Sequence, residues 1–194
     1  MLVLRSEQPQ ALRPLLDQLL VLGVGHVEIA WSPHPAWVLQ CRQLIAAYPT
    51  LRLGAASVCT QQALADVIEA GFCYAVSPIL DRSLIEAAGV AGLGLVPGVL
   101  TPSEVHSARS WGCPMVKLFP ATSVGPGYWR RLVDPLGHPL PFCLAAGGLG
   151  PQDVLPWLAA GVDAIALGSG LLTSTTGAGV DLSTVQSLLT SLSG

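Results

Sequence analysis

One lysine occurs in the 194 residues, Lys117, and it stands in an apolar run, Met115-Val116-Lys117-Leu118-Phe119. The other eight basic residues are arginines. An ammonium group held among apolar side chains is costly unless it is paired or used, and desolvation lowers its pKa. The neutral amine that results can attack a ketone and form a Schiff base. Such chemistry needs a nearby carboxylate to move protons. Glu28, in HVEIAW (26–31), is placed in the same way, between Val27 and Ile29. A third feature is glycine-rich: AAGGLG (145–150) ahead of Pro151, and LGSG (167–170). Backbone N–H groups freed by glycine, with a short helix N-terminus, form a phosphate cradle. The plainer reading of Lys117, a buried ion pair with Glu28 or a lysine snorkelling to the surface, stays open from the residues alone.

These groups have to be brought together by the elements that carry them. Short apolar runs at 2–5, 26–31, 51–57, 74–78, 92–98, 115–121, 141–148 and 163–170 read as strands. Segments with helical spacing alternate with them, at 9–23, 36–49, 60–71, 81–89, 101–112, 128–134, 151–161 and 181–192. Thr60 and Thr101 are candidate N-caps, and Gly71 is a candidate stop. Eight strand–helix units imply a parallel sheet covered by helices. The expected fold is a (β/α)₈ TIM barrel forming one α/β domain over residues 1–194, small against the roughly 250 residues usual for that fold. A doubly wound sheet is the alternative, but no GxGxxG opens the first helix. In a barrel the chemistry sits at the C-terminal strand ends. There the chain places Arg5, Glu28, Ser57, Ser77, Lys117 and Ser169.

Composition narrows the function classes. Half the residues are hydrophobic, 11% are charged, and the net charge is −3. No basic stripe points to nucleic acid or to an anionic membrane. No run of 18 apolar residues occurs, and Arg5 interrupts the N-terminal run too early for a signal-peptide core. The expectation is a cytoplasmic enzyme. Five scattered cysteines without a CxxC pair read as buried reduced thiols, and the four histidines as structural, so no metal is expected.

The chain resembles the 2-keto-3-deoxy-6-phosphogluconate / 4-hydroxy-2-oxoglutarate aldolase family, whose members are class I, Schiff-base lyases. The resemblance runs through LVLR, GVGHVEIAW, LGAASV, QQALADVIEAGFCYAVSPIL, LVPGVLTPSEV, VKLFPA and AAGGLGPQDV…ALGSGL, in that order. The K-x-FPA piece is the most specific. It implies a homotrimer of barrels that uses neither metal nor cofactor, with a small keto acid or sugar-acid phosphate as its partner. Lys117 would form the imine and Glu28 would act through water as acid and base. Pro97 and Phe119 would line the pocket, and Ser57 would contact the substrate carboxylate. Gly147, Gly148 and Ser169 would hold a phosphate, with Arg5 near the mouth. The products implied are pyruvate and an aldehyde, glyceraldehyde 3-phosphate or glyoxylate.

Four positions depart from the family's pattern. Ser32 stands where an arginine commonly holds the carboxylate, and Ala30 where threonine is usual. Ser57 and Ala146 also replace threonines. These departures support a second reading, an aldolase-derived sugar-phosphate-binding protein with weak or no keto-acid activity. A phosphate-binding barrel isomerase or synthase is a third, but it leaves Lys117 without a task. Trp31, directly after the second strand, is expected to narrow the pocket mouth.

Overall fold

The strands are short because each spans only the wall of a barrel. The computed structural model describes residues 1–168, 171 and 180–193. The strands are β1 (Leu2–Leu4), β2 (His26–Ala30), β3 (Arg52–Ala56), β4 (Tyr74–Val76), β5 (Gly94–Val96), β6 (Gly98–Val99), β7 (Met115–Leu118), β8 (Phe142–Ala146) and β9 (Ala164–Ala166). All pair in parallel, in the orders β1-β2-β3-β4-β5 and β6-β7-β8-β9.

Two junctions join these arcs. Pro97 interrupts what is otherwise one strand, since proline has no N–H to donate to a ladder. Its carbonyl still accepts the Lys117 N–H at 2.8 Å, while the Gly98 N–H turns away to the Ile79 carbonyl at 3.0 Å. On the other side Leu2 pairs with Leu167. There the Val3 N–H donates to the Leu167 carbonyl at 2.8 Å, and the Leu167 N–H donates to the Met1 carbonyl at 3.0 Å. Counting β5 and β6 as one strand, the ring is the eight-stranded barrel expected from the sequence.

Register decides what the lumen contains. Val3, Glu28, Gly54, Tyr74 and Gly94 are successive lateral partners across β1 to β5, so they share one face. Val27 and Ile29 point the opposite way, into the layer between barrel and helices, and both are fully buried. Gly54 and Gly94 flank the large Tyr74 on this face. A Cβ on Gly54 would lie 2.2 Å from the Tyr74 ring, so that ring can cross the barrel only over a glycine.

The outer layer comprises α1 (Arg13–Val21), α2 (Trp37–Ala47), α3 (Gln61–Ala70), α4 (Arg82–Val90), α5 (Pro102–Ser110), α6 (Tyr128–Arg131), α7 (Val133–Leu136), α8 (Val154–Ala159) and α9 (Leu182–Ser193). The expected caps form. Thr60 accepts from Ala63 N–H, and Thr101 and Glu104 make a reciprocal capping box. Gly71 ends α3 at φ 85°, a left-handed conformation suited to glycine.

Prolines explain where the helices differ from expectation. Residues 9–12 form a 3₁₀ turn before α1, and residues 151–153 form another before α8. The segment expected at 128–134 divides into α6 and α7. Pro9, Pro14, Pro135 and Pro151 at these points lack the N–H that a continuous helix uses. The cysteines also divide: Cys41, Cys113 and Cys143 are buried, but Cys59 and Cys73 are exposed because they fall on turns beside β3 and β4. Burial pushes the Cys41 thiol up to about 12. Trp37, Trp129 and Trp157 are core residues. Among the described residues no helix is long and apolar enough to cross a membrane.

Gly98 is the lateral partner of Lys117, and a Cβ there would lie 2.2 Å from the Pro78 backbone, which cannot step aside. Gly98→Ala is expected to lower stability by about 1–3 kcal/mol, the usual cost of overpacking. A shift in the urea midpoint relative to wild type checks this.

Candidate functional site

Lys117 is third of the four residues of β7, whose other members are apolar, and the pleat turns its side chain into the lumen opposite the buried Val116 and Leu118. Its side chain is 7% exposed. Its ammonium lies 4.7 Å from the centre of the Phe119 ring, a cation–π contact. Burial lowers its pKa, opposed by Glu28 and reinforced by Arg5.

Glu28 enters the lumen from β2 and is fully buried. Neither carboxyl oxygen has a hydrogen-bond partner among the described residues. Burial raises its pKa to about 7, against the pull of Lys117. The two groups therefore interact through space but not as a bonded pair. Among the described residues the side-chain ion pairs are Arg42–Glu69 and Arg82–Glu86, both exposed. The paired-lysine reading of Lys117 does not hold. A buried carboxyl without a partner among the described residues, near an amine of lowered pKa, is suited to acid–base chemistry and does not form a structural bridge.

Above this pair, at the C-terminal strand ends, opens a cleft of about 400 Å³ lined by Arg5, Lys117, Phe119, Thr122, Gly147 and Gly148 among others. Gly147 and Gly148 have φ of 96° and 80°. A Cβ on Gly147 would lie 2.8 Å from the Phe119 ring, and one on Gly148 would lie 2.8 Å from the Thr122 hydroxyl. Among the described residues their N–H groups make no hydrogen bond. The Thr122 hydroxyl donates to the Gly147 carbonyl at 3.2 Å, fixing that peptide from the outside. The expected helix N-terminus does not join this cradle. The Gly150 N–H that opens it is taken by the Asp153 carboxylate at 2.8 Å. Ser169 lies outside the described residues.

Arg5, just past β1, donates from Nη1 to the Ser57 hydroxyl at 3.3 Å. Ser57 is the one non-glycine residue with positive φ among the described residues, at 64°. Such a conformation costs on the order of 1–3 kcal/mol and persists where surrounding structure imposes it. Two expectations need correction. Pro97 is buried and meets Lys117 through its carbonyl, but does not line the cleft. Trp31 does not narrow the mouth. Its indole N–H donates to Asp66 on α3 at 2.9 Å, which draws it outward over that helix. Ser32 is turned to its own loop, accepting from the His34 N–H at 3.4 Å. Thr122 was not singled out by the sequence, because a threonine on a loop carries no periodic signal. Among the described residues no three metal-ligating side chains converge.

Comparison with known proteins agrees with this geometry. Residues 1–188 match the family described as KDPG and KHG aldolase. The chain is 29% identical over 148 residues to the 2-dehydro-3-deoxy-phosphogluconate aldolase of Pseudoalteromonas atlantica, covering 75% of this chain and 66% of that protein, just under two thirds. It is 28% identical over 170 residues to a probable 2-dehydro-3-deoxy-6-phosphogalactonate aldolase of Rhizobium meliloti, covering 87% of this chain and 79% of that one. Among solved structures it is similar in fold to the KDPG aldolase of Legionella pneumophila captured with pyruvate as a covalent carbinolamine. That match has a TM-score of 0.83 at 23% identity, over 98% of this chain and 92% of that one.

The Glu28 shift has a stability consequence. Because the folded carboxyl has a pKa of about 7 against an ordinary 4.5, the folded chain holds a proton the unfolded chain has lost between those values. Stability from this group is therefore full below pH 4.5 and falls as pH rises through 7. At about 1.4 kcal/mol per unit the loss is a few kcal/mol. Glu28→Gln is expected to remove this dependence, so its urea midpoint should gain on wild type steadily from pH 4.5 to 7.5.

Proposed function

The chain belongs to the KDPG and KHG aldolase family, whose members are lyases, and we propose that it is a class I aldolase of 2-keto-3-deoxy acids. The observation that carries this reading is the single lysine, buried in the lumen with a carboxyl that has no hydrogen-bond partner among the described residues. Its neutral amine adds to the 2-keto carbon, and loss of water leaves an iminium. Glu28, acting through water, takes the proton of the C4 hydroxyl as the C3–C4 bond breaks. The bonding electrons flow into the iminium, the aldehyde departs, and the pyruvate enamine remains. Protonation at C3 and hydrolysis release pyruvate and free Lys117.

The substrate classes that suit the site are a 2-keto-3-deoxy sugar acid phosphate and 4-hydroxy-2-oxoglutarate. With Ser32 turned away, Arg5 and Ser57 are the groups that receive the carboxylate. The free N–H groups of Gly147 and Gly148 receive a phosphate. The oligomer proposed is the homotrimer of the family, and sedimentation velocity checks it.

Incubation with pyruvate and borohydride is expected to add one pyruvyl mass on Lys117 in the wild type and none in Lys117→Ala, read by intact mass. If no adduct forms at millimolar pyruvate, the chain is a sugar-phosphate-binding protein derived from an aldolase. Arg5→Ala is expected to raise KM for the cleaved acid by roughly ten- to a hundredfold, as expected for losing a hydrogen bond to a charged group. The adduct should still form at saturating pyruvate.

A further inference from the structure

Glu28 lies between two cavities. Above is the cleft that Lys117 lines. At the other end of the barrel, where the strands begin, is a cavity of about 420 Å³ reached by His26, Arg52 and Cys73 and bounded by Met1, Tyr74 and Leu144. Glu28 borders neither and has no exposed surface. Its lateral partner Gly54 lies under the Tyr74 ring, which also lines the lower cavity. Tyr74 crosses the lumen over Gly54, and its hydroxyl reaches the Met1 sulfur at 3.1 Å. Leu144, 1% exposed, stands on the facing wall.

We propose that Tyr74 is a positioning residue that forms the floor beneath Glu28, closing the carboxyl off from the N-terminal cavity so that it exchanges protons only on the Lys117 side. The proposal rests on the acid–base reading of Glu28. Among the described residues three charged or titratable groups interact with that carboxyl: the Lys117 ammonium from β7, the Tyr74 hydroxyl from β4 and the Met1 amino group just ahead of β1. Those from Lys117 and Met1 favour the carboxylate, yet burial prevails and keeps the group protonated up to about 7. A floor is what that outcome requires, because water rising from below would restore the charged form. The ring rather than the hydroxyl performs this task, since the hydroxyl's partner is Met1 and not Glu28. An aldol enzyme gains from this: the proton taken from the C4 hydroxyl is kept beside the enamine rather than lost to bulk water.

The test is the titration of Glu28 in the full chain, followed by NMR with ¹³C-labelled glutamate carboxyls and assigned with Glu28→Gln. Tyr74→Ala is expected to lower the midpoint by roughly one pH unit or more, toward an ordinary carboxylate. Tyr74→Phe should leave it unmoved. Gly54→Ala, which pushes the ring off its place, should lower the midpoint alone but add nothing in the Tyr74→Ala background. The acid limb of kcat/KM should move with the midpoint in each variant. An unmoved midpoint in folded Tyr74→Ala overturns the proposal, as does a shift in Tyr74→Phe equal to that in Tyr74→Ala. If Tyr74→Ala does not fold, the Gly54→Ala midpoint decides alone. Full activity in Glu28→Gln would instead overturn the acid–base reading and leave the titration result standing.

Discussion

The structure depends on one costly arrangement, a carboxyl and an amine buried in the same lumen without bonding to each other. Each is desolvated, and each is held where a direct ion pair would have offset that cost. Burial moves the two pKa values toward each other, Glu28 up and Lys117 down. The result is a pair in which burial favours the neutral form of each group, the forms that amine attack and proton donation use. A closed salt bridge would have been more stable and inert.

The rest of the barrel serves that separation. Parallel register places Glu28 beside Gly54 and Lys117 beside Gly98, so the large polar side chains each have a glycine neighbour. The break at Pro97 lets strand five change course while its carbonyl still pairs with the Lys117 N–H. The stiff apolar layer of Val27, Ile29, Val116 and Leu118 behind them holds both strands in place. At the rim, polar groups are few. Arg5 and Ser57 bond each other, and two glycines present N–H groups that make no hydrogen bond among the described residues, beside a carbonyl that Thr122 anchors.

In the proposed reaction, recognition of a substrate's anionic ends rests on loops, whereas Lys117 and Glu28 sit on strands. That division fits the tolerance of barrels to change at the rim while the lumen stays constrained. Ser32, where the resemblance implies an arginine, is of this rim kind, and Arg5 is a cation whose charge acts on the Lys117 amine.

Much of this was legible in the sequence, and the reason is periodicity. Alternating apolar runs and amphipathic segments specified eight strand–helix units. A lone lysine and a glutamate inside apolar strands marked the chemistry, because burying a charge there needs a reason. The glycine pair Gly147–Gly148 after β8 marked the loop proposed to hold a phosphate. The tertiary structure alone decided which side chains meet. Trp31 looked inward by its place in the chain but bonds Asp66, because α3 offers an acceptor outside the barrel. Thr122 and the strained Ser57 carry no sequence period and acquire meaning only from neighbours distant in the chain. The absence of a Glu28–Lys117 bond is likewise invisible in sequence, for it depends on the width of a lumen set by how the strands close.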